Sequence, residues 1–518
     1  MVYYFFWQKY YLAVLTKYTS FIIMDSPVEI PFRSFIHLKP EQNTAIYLQI
    51  VFEFIKAIQT GFLPEGTKLP GTRILCKVLD VNRNTLIKAF QDLESQGWIE
   101  TLPNKGTFIL SQQKNKAAFP ASKEHNASEN NTGFTFQKST ILENPIETSN
   151  LPYQFNDGMP DWRLVQTDVL ARLYVSKLKR RKSSKTYEQI QLRSHSNFKT
   201  HFSNYLNLTR GIRISTSNLL TTSSHEISLY LVTKVLISSG DKVAVASPGY
   251  YMSNMTLTNT GAQIIPIQVN EDGIDTKQLK EICQTSKIRV LYLTSNYHYP
   301  TTISLSAKKR MEVLELANQY GFIIIEDDYD FDFHYDNNPV LPLAAFDSNQ
   351  KVVYIGSFGK SLPSGFSYGF VAAPSAFITE LEKHQNILEP SIDVLKEQVL
   401  TEWITEGEVH RLSKKNKKIY KERRDQFSAL LNEKLKGKIK FKIPPRGLAI
   451  WVEWLDNFNL VQFQKECAAH DLFLPKTILY QTKNLTATRL GFGHLEKEEM
   501  EKAICILSEC LENIIRNH

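Results

Sequence analysis

Cysteine is scarce in this chain: Cys76, Cys283, Cys467, Cys505 and Cys510 are the five among 518 residues. They are scattered, odd in number and without the close pairing of a tetrahedral metal site. That pattern argues against a disulfide framework or a zinc centre and for reduced thiols in the cytoplasm. Apolar runs of membrane length are missing too. Residues 1–23 are rich in Tyr and Phe, but Lys9 and Lys17 interrupt them short of the roughly 18–20 apolar residues a span needs. The same stretch lacks the basic start and small-residue cleavage site of a secretory signal. Met24 is the expected start, because foldable pattern begins soon after it, and a short amphipathic or membrane-touching extension is the alternative. No internal repeat, coiled coil or transmembrane helix stands out. Neither sign of charge dominates, since Lys and Arg total 61 against 53 Asp and Glu, a net charge of +8. Such a balance permits an anionic partner such as nucleic acid without requiring one. What remains is globular, 42% hydrophobic and 22% charged, and long enough for two or three domains.

Three textures follow the 1–35 extension. Residues 36–110 are compact and periodic. Residues 111–150 turn polar, with Lys114, Lys116, Lys123, Glu124, Asn126, Glu129 and Asn130, and read as a flexible linker. A coil of about 40 residues would span roughly 35 Å on average. Residues 151–518 alternate apolar runs with helical segments.

In the first of these regions, Thr44 is placed to cap a helix with Leu48, Val51, Phe52, Ile55 and Ile58 on its apolar face, ending at Gly61. A short helix with Arg73, Leu75 and Leu79 follows. After a turn at Asp80-Val81, Asn82 caps a second helix that buries Leu86, Ala89, Phe90 and Leu93 and exposes Arg83, Asn84, Thr85, Ile87, Lys88 and Gln91. Two strand-like runs, residues 98–102 and 106–110, flank Pro103-Asn104-Lys105-Gly106 as a hairpin with a basic tip. Two short helices and a hairpin make a winged helix-turn-helix, an α+β module. The start of its second helix reads the major groove of double-stranded DNA while loop residues hold phosphates. Arg83, Asn84, Thr85 and Lys88 are the groove candidates, and Arg73, Lys105 and Gly106 flank them. For Lys88 alone, a solvated charged face is an equal reading.

In the last region, the strand-like runs 242–246, 289–293, 322–325 and 351–355 alternate in part with helical patterns such as Lys308 to Tyr320. Continuous apolar strands of this kind predict a mostly parallel sheet covered on both faces, an α/β three-layer domain. Ligands of such sheets sit beyond the strands' C-terminal ends. There the sequence places Ser247-Pro248-Gly249-Tyr250, Glu326-Asp327-Asp328-Tyr329 and Gly356-Ser357-Phe358-Gly359-Lys360. A lysine, an acid, a phenol and an aromatic ring on one rim suit pyridoxal phosphate. A helix N-terminus and hydroxyls such as Ser357 suit its phosphate.

Both regions match known patterns. Residues 61–70 (Gly-Phe-Leu-Pro-Glu-Gly-Thr-Lys-Leu-Pro), Asn82-Arg83-Asn84-Thr85-Leu86 and Gly106-Thr107-Phe108 resemble the GntR-type DNA-binding domain. Ser357-Phe358-Gly359-Lys360-Ser361-Leu362, Ile325-Glu326-Asp327-Asp328-Tyr329-Asp330, Pro248-Gly249-Tyr250, Tyr299-Pro300-Thr301 and Arg489-Leu490-Gly491-Phe492 look like fold-type I aminotransferases. Together the two resemble the MocR subfamily of regulators. The resemblance implies Lys360 as the Schiff-base lysine, Asp327 at the pyridine nitrogen, Tyr329 at the ring hydroxyl and Tyr250 stacked on the ring. It places Ser357 on the phosphate, with Ser224 and His225 in the phosphate turn, and Arg489 on the carboxylate of an amino-acid-like effector. It also implies a head-to-tail homodimer.

The departures from that pattern are specific. Ser367 stands where an arginine usually pairs with the phosphate, a loss of roughly 1.5–3 kcal/mol for a charge-assisted contact. Ser223 replaces the glycine of the phosphate turn Thr221-Thr222-Ser223-Ser224-His225; His225 is a substitute donor or simply a packed histidine. Met252 stands in place of a second, effector-binding arginine, and Thr302 in place of a glycine. In the DNA module, Ile87 falls where some relatives carry an arginine. The basic run Lys177-Leu178-Lys179-Arg180-Arg181-Lys182 reads as a solvated helix face, with an extra DNA contact as the alternative. Three functions follow: a regulator answering to pyridoxal phosphate or an amine adduct of it, a working aminotransferase with an accessory DNA module, or a regulator with a cofactor-free dimerisation scaffold. Met252 and Ser367 count against efficient turnover, the second of these.

Overall fold

A computed structural model describes residues 32–36, 38–39, 44–103, 105–110, 134–143, 145–179, 187–335, 340–363, 365–391 and 393–516. The readings of residues 1–31 (the alternative start included), Asn104, the linker core 111–133 and Arg180 to Lys182 lie outside these residues. The chain forms two compact units, Met1–Thr135 and Phe136–His518.

In the small unit, helices Ile46–Gln59, Thr72–Leu79 and Arg83–Ser95 pack on one core, and Ile99–Leu102 pairs with Gly106–Ile109 as the expected hairpin. Lys68–Leu69 adds a third antiparallel strand on the far side of Gly106–Ile109. The second helix of the helix-turn-helix buries Leu86, Ala89, Phe90 and Leu93 as read from the sequence. Asn82 caps it, its Oδ1 accepting from the Asn84 N–H at 2.9 Å.

The first helix departs from expectation in two ways. Its buried face is Gln49, Ile50, Val51, Phe54 and Ala57, and Phe52 is 58% exposed. Apolar residues surround this helix on most sides, so spacing alone did not fix which stripe faces the core. Thr44 does not cap it either; Ala45 holds that position without a side-chain bond. Instead Gln49 accepts from the Lys39 N–H and donates to the Thr44 carbonyl, both at 2.8 Å, tying the incoming chain to the helix. The core also begins before residue 36, because Phe32 is buried with its ring 5.9 Å from that of Phe54.

In the large unit, an eight-stranded sheet runs in the order Leu219–Thr222, Tyr368–Ala372, Val352–Phe358, Ile323–Asp328, Val290–Leu293, Lys242–Ser247, Gln263–Asn270, Gly273–Ile274. The five strands from Val352–Phe358 to Gln263–Asn270 are parallel. Tyr368–Ala372 is antiparallel to both its neighbours. Successive side chains of a strand point to opposite faces, so each apolar run feeds two cores. Leu291, Ile324, Val352 and Tyr354 enter one of them. Val290, Ile325, Val353 and Ile355 enter the other.

A second, antiparallel sheet of Ile439–Phe441, Ala449–Trp454, Leu485–Gly491 and Leu479–Thr482 shares a third core with helices Leu460–Ala469 and Lys497–Arg516. Phe155 packs into that core. Residues 136–150, expected as linker, belong to the large unit. The Glu147 carboxylate accepts from the Lys476 N–H at 2.8 Å and pairs with its ammonium at 2.9 Å. A polar composition reads as linker when the partner of each charge is far away in sequence.

Candidate cofactor and DNA-binding sites

At the C-terminal ends of the parallel strands lies a cleft of about 350 Å³ whose walls include Asp157, Ser224, His225, Tyr250, Ser357 and Lys360. The strand Val352–Phe358 delivers Ser357, and Lys360 sits in the turn after it. Lys360 Nζ lies 2.5 Å from Asp330 Oδ1 and 5.3 Å from the ring centre of Tyr329, which also lines the cleft.

Asp327 ends up behind the wall, 1% exposed. Its Oδ2 accepts from the Tyr292 hydroxyl at 2.6 Å and meets His225 Nε2 at 3.0 Å. Its Oδ1 is buried with no hydrogen-bond partner. Burial disfavours the His225 imidazolium, but the charge and hydrogen bond of Asp327 outweigh it and push the His225 pKa up to about 9. Burial also raises the phenols of Tyr250 and Tyr329, keeping both protonated.

Ser224 opens the helix His225–Leu236, its Oγ accepting from the Ile227 N–H at 3.3 Å, so the cleft meets a helix N-terminus there. The Ser357 hydroxyl donates to the Tyr329 carbonyl at 3.0 Å. Tyr250 and Tyr299 pack with ring centres 4.7 Å apart and planes at 61°.

The departures acquire geometry. Ser367 brings no charge, but its carbonyl accepts from Lys396 Nζ at 2.7 Å, and that ammonium lies 3.8 Å over the Tyr368 ring. Burial lowers the Lys396 pKa. Ser223 donates its N–H to Glu389 at 3.1 Å and its hydroxyl to the same carboxylate. Thr302 holds φ +62°, the left-handed region that glycine adopts without strain.

Six of the expected residues (Lys360, Tyr329, Tyr250, Ser357, Ser224 and His225) therefore line one cleft, and Asp327 is bonded to one of them. Arg489 does not line it. Arg489 is fully buried and its Nε lies 2.7 Å from Asp157 Oδ1, while Asp157 is on the cleft wall. Burial raises the Asp157 pKa, against the opposing charge of Arg489.

Sequence reasoning missed Asp157, Asp330 and Tyr292. Asp330 was visible in an acid-rich run that gave no means of choosing among its members. Asp157 and Arg489 are 332 positions apart, so no local spacing could join them.

In the small unit, Arg73, Arg83, Asn84 and Lys105 are exposed and Thr85 is half-buried. Arg83, Asn84 and Thr85 open the helix Arg83–Ser95, and Lys105 stands beside the hairpin strand Gly106–Ile109. Lys88 also faces outward, but its ammonium sits 3.9 Å from the ring centre of Tyr47. Gly106 has φ +114°, and a Cβ there would come 3.0 Å from the Lys68 side chain. Its role is thus to let the hairpin turn tightly.

The family model for aminotransferase class I and II matches residues 164–504, and that for bacterial regulatory proteins of the gntR family matches residues 46–109. An uncharacterised HTH-type transcriptional regulator of Bacillus subtilis (strain 168), YdfD, is 26% identical over 478 residues, 91% of this chain and 97% of its own. A protein of Rhizobium meliloti named "Probable rhizopine catabolism regulatory protein MocR" is 22% identical, covering 77% of this chain and 79% of its own. Among solved structures, the multiple substrate aminotransferase of Thermococcus profundus superposes with a TM-score of 0.64 at 20% identity, covering 74% of this chain and 97% of its own.

Proposed function

Because the chain belongs to the aminotransferase class I and II family and is a GntR-type DNA-binding regulator fused to an aminotransferase-like domain, we propose that its cleft binds pyridoxal phosphate and an amine effector and passes their occupancy to the DNA module. One observation carries the cofactor reading. Asp327 keeps one carboxylate oxygen buried and unbonded while two donors fix the other. An uncompensated buried carboxylate oxygen is costly unless a ligand completes it, and a protonated ring nitrogen does so.

When bound, pyridoxal phosphate supplies an electrophilic carbonyl and an electron-accepting ring. The chain supplies the rest. Lys360 is the amine nucleophile of the cleft, held by Asp330. Asp327 Oδ1 would accept a hydrogen bond from a protonated ring nitrogen, and Tyr292 and His225 orient that carboxylate. Tyr329 offers a protonated phenol, and Tyr250 an aromatic face. Ser224, Ser357 and the start of the helix His225–Leu236 would hold the phosphate.

Sensing rather than turnover is favoured by Ser367 and Met252, which bring no charge where an efficient transaminase site uses arginines. Arg83, Asn84, Thr85 and Lys105 contact DNA, and the chain works as a head-to-tail homodimer in the cytoplasm. Among the described residues no helix is long and apolar enough to cross a membrane. Purified protein should develop a visible absorbance band on adding pyridoxal phosphate, and Lys360→Ala should not. A colourless wild type would overturn the cofactor reading. Bleaching by an amine with keto-acid release at catalytic rates would favour an enzyme instead.

A further inference from the structure

We propose that the effector accepted by this cleft is a primary amine without an α-carboxylate, and that Asp157 is the residue that turns amino acids away. This rests on the reading above and adds the chemical class of the effector.

The argument starts from Arg489, the residue expected to receive a carboxylate. Its side chain is fully buried, and groups of this chain already occupy it. Nε meets Asp157 Oδ1 at 2.7 Å, one terminal nitrogen donates to the Pro300 carbonyl at 3.0 Å, and the other faces the Tyr329 hydroxyl at 3.4 Å. The rings of Tyr297 and Tyr299 lie 5.0 and 4.7 Å from the guanidinium. Arg489 is thus paired and screened, whereas Asp157, with 27% of its side chain exposed, forms the wall.

An incoming ligand therefore meets a carboxylate where a guanidinium was expected. A ligand carboxylate must either displace Asp157 from a buried ion pair or sit beside it, and like charges at such range oppose binding.

The rest of the wall agrees. Asp157, Asp161 and Glu226 line the cleft, and no arginine does among the described residues. Asp161 is already committed to Arg163 and Arg423, at 2.9 and 2.7 Å. Of the two cations on the same wall, Lys360 is paired with Asp330 and His225 with Asp327, so Asp157 and Glu226 are left to face the ligand. An ammonium suits such a cleft, and an α-carboxylate does not.

The test uses n-butylamine and L-norvaline, which differ only in the carboxylate. Calorimetric titration of the full chain, with and without bound pyridoxal phosphate, gives both dissociation constants. Wild type should bind n-butylamine at least about tenfold more tightly. Asp157→Asn, which removes the repelling charge, should erase or invert that ratio, and Asp157→Glu should keep it. A wild type that prefers L-norvaline, or an Asp157→Asn chain with an unchanged ratio, would overturn the proposal. If Asp157→Asn does not fold, the wild-type ratio alone decides. Cofactor uptake is read separately by absorbance: a chain that takes up pyridoxal phosphate but prefers L-norvaline sinks only this inference, and one that takes up none sinks the reading beneath it.

Discussion

Lys360 Nζ and Asp330 Oδ1 lie 2.5 Å apart, and the Asp330 side chain is fully buried, so the amine nucleophile of the cleft is held as one half of an ion pair. An ammonium is not nucleophilic, and this pairing must open before the amine reacts. Asp330→Asn should therefore load pyridoxal phosphate faster than wild type at neutral pH, by about tenfold for every 1.4 kcal/mol of pairing removed. Stopped-flow absorbance measures it; equal or slower loading would show that Asp330 guides the lysine rather than restrains it.

His225 gives the cofactor-free chain a pH signature. Its pKa is raised from 6.5 to about 9, so its pairing with Asp327 stabilises the fold fully below pH 6.5 and fades as the pH climbs through 9. Such a shift corresponds to something on the order of 3 kcal/mol. His225→Gln should flatten the difference in urea-unfolding free energy between pH 6.5 and 9. Parallel wild-type and variant curves across that window would refute the assignment.

On the DNA module, Arg83→Ala should weaken operator binding and relax sequence preference, by about 1–3 kcal/mol if Arg83 reads a base. Lys105→Ala should weaken binding to all sequences alike and lower the salt slope by about one. Lys88 packs over Tyr47, so Lys88→Gln should lower the module's melting temperature more than it changes the salt slope. Fluorescence anisotropy across a salt series separates the first two outcomes, and a thermal melt of the module reads the third.

Gly447 supports the Arg489 end of the site from outside it. It holds φ +77°, and a Cβ there would lie 2.1 Å from the ring of Tyr297, whose hydroxyl donates to the Ala449 carbonyl at 2.7 Å. Gly447→Ala combines left-handed strain with overpacking and should cost roughly 2–4 kcal/mol, seen as an earlier chemical-unfolding midpoint. A variant as stable as wild type would mean that this loop relaxes freely.

The sequence alone determined what depends on neighbours in the chain. Asn82 and the 86, 89, 90, 93 spacing defined the second helix, because a cap and a 3.6-residue period are local properties. Apolar runs of four or five residues followed by Tyr250, Tyr329 and Lys360 marked a sheet rim, because side-chain alternation and strand ends are local too. Where a helix offers apolar residues on several sides, as around Phe52 and Phe54, only the surrounding core could choose the buried face. Likewise only the folded chain could bring Asp157 to Arg489, Glu389 to Ser223, or Lys396 to the Ser367 carbonyl. A motif names an arginine, but which carboxylate neutralises it, and what the cleft then presents to a ligand, is fixed by segments hundreds of residues away. Coulomb interactions act through space and carry no sequence period.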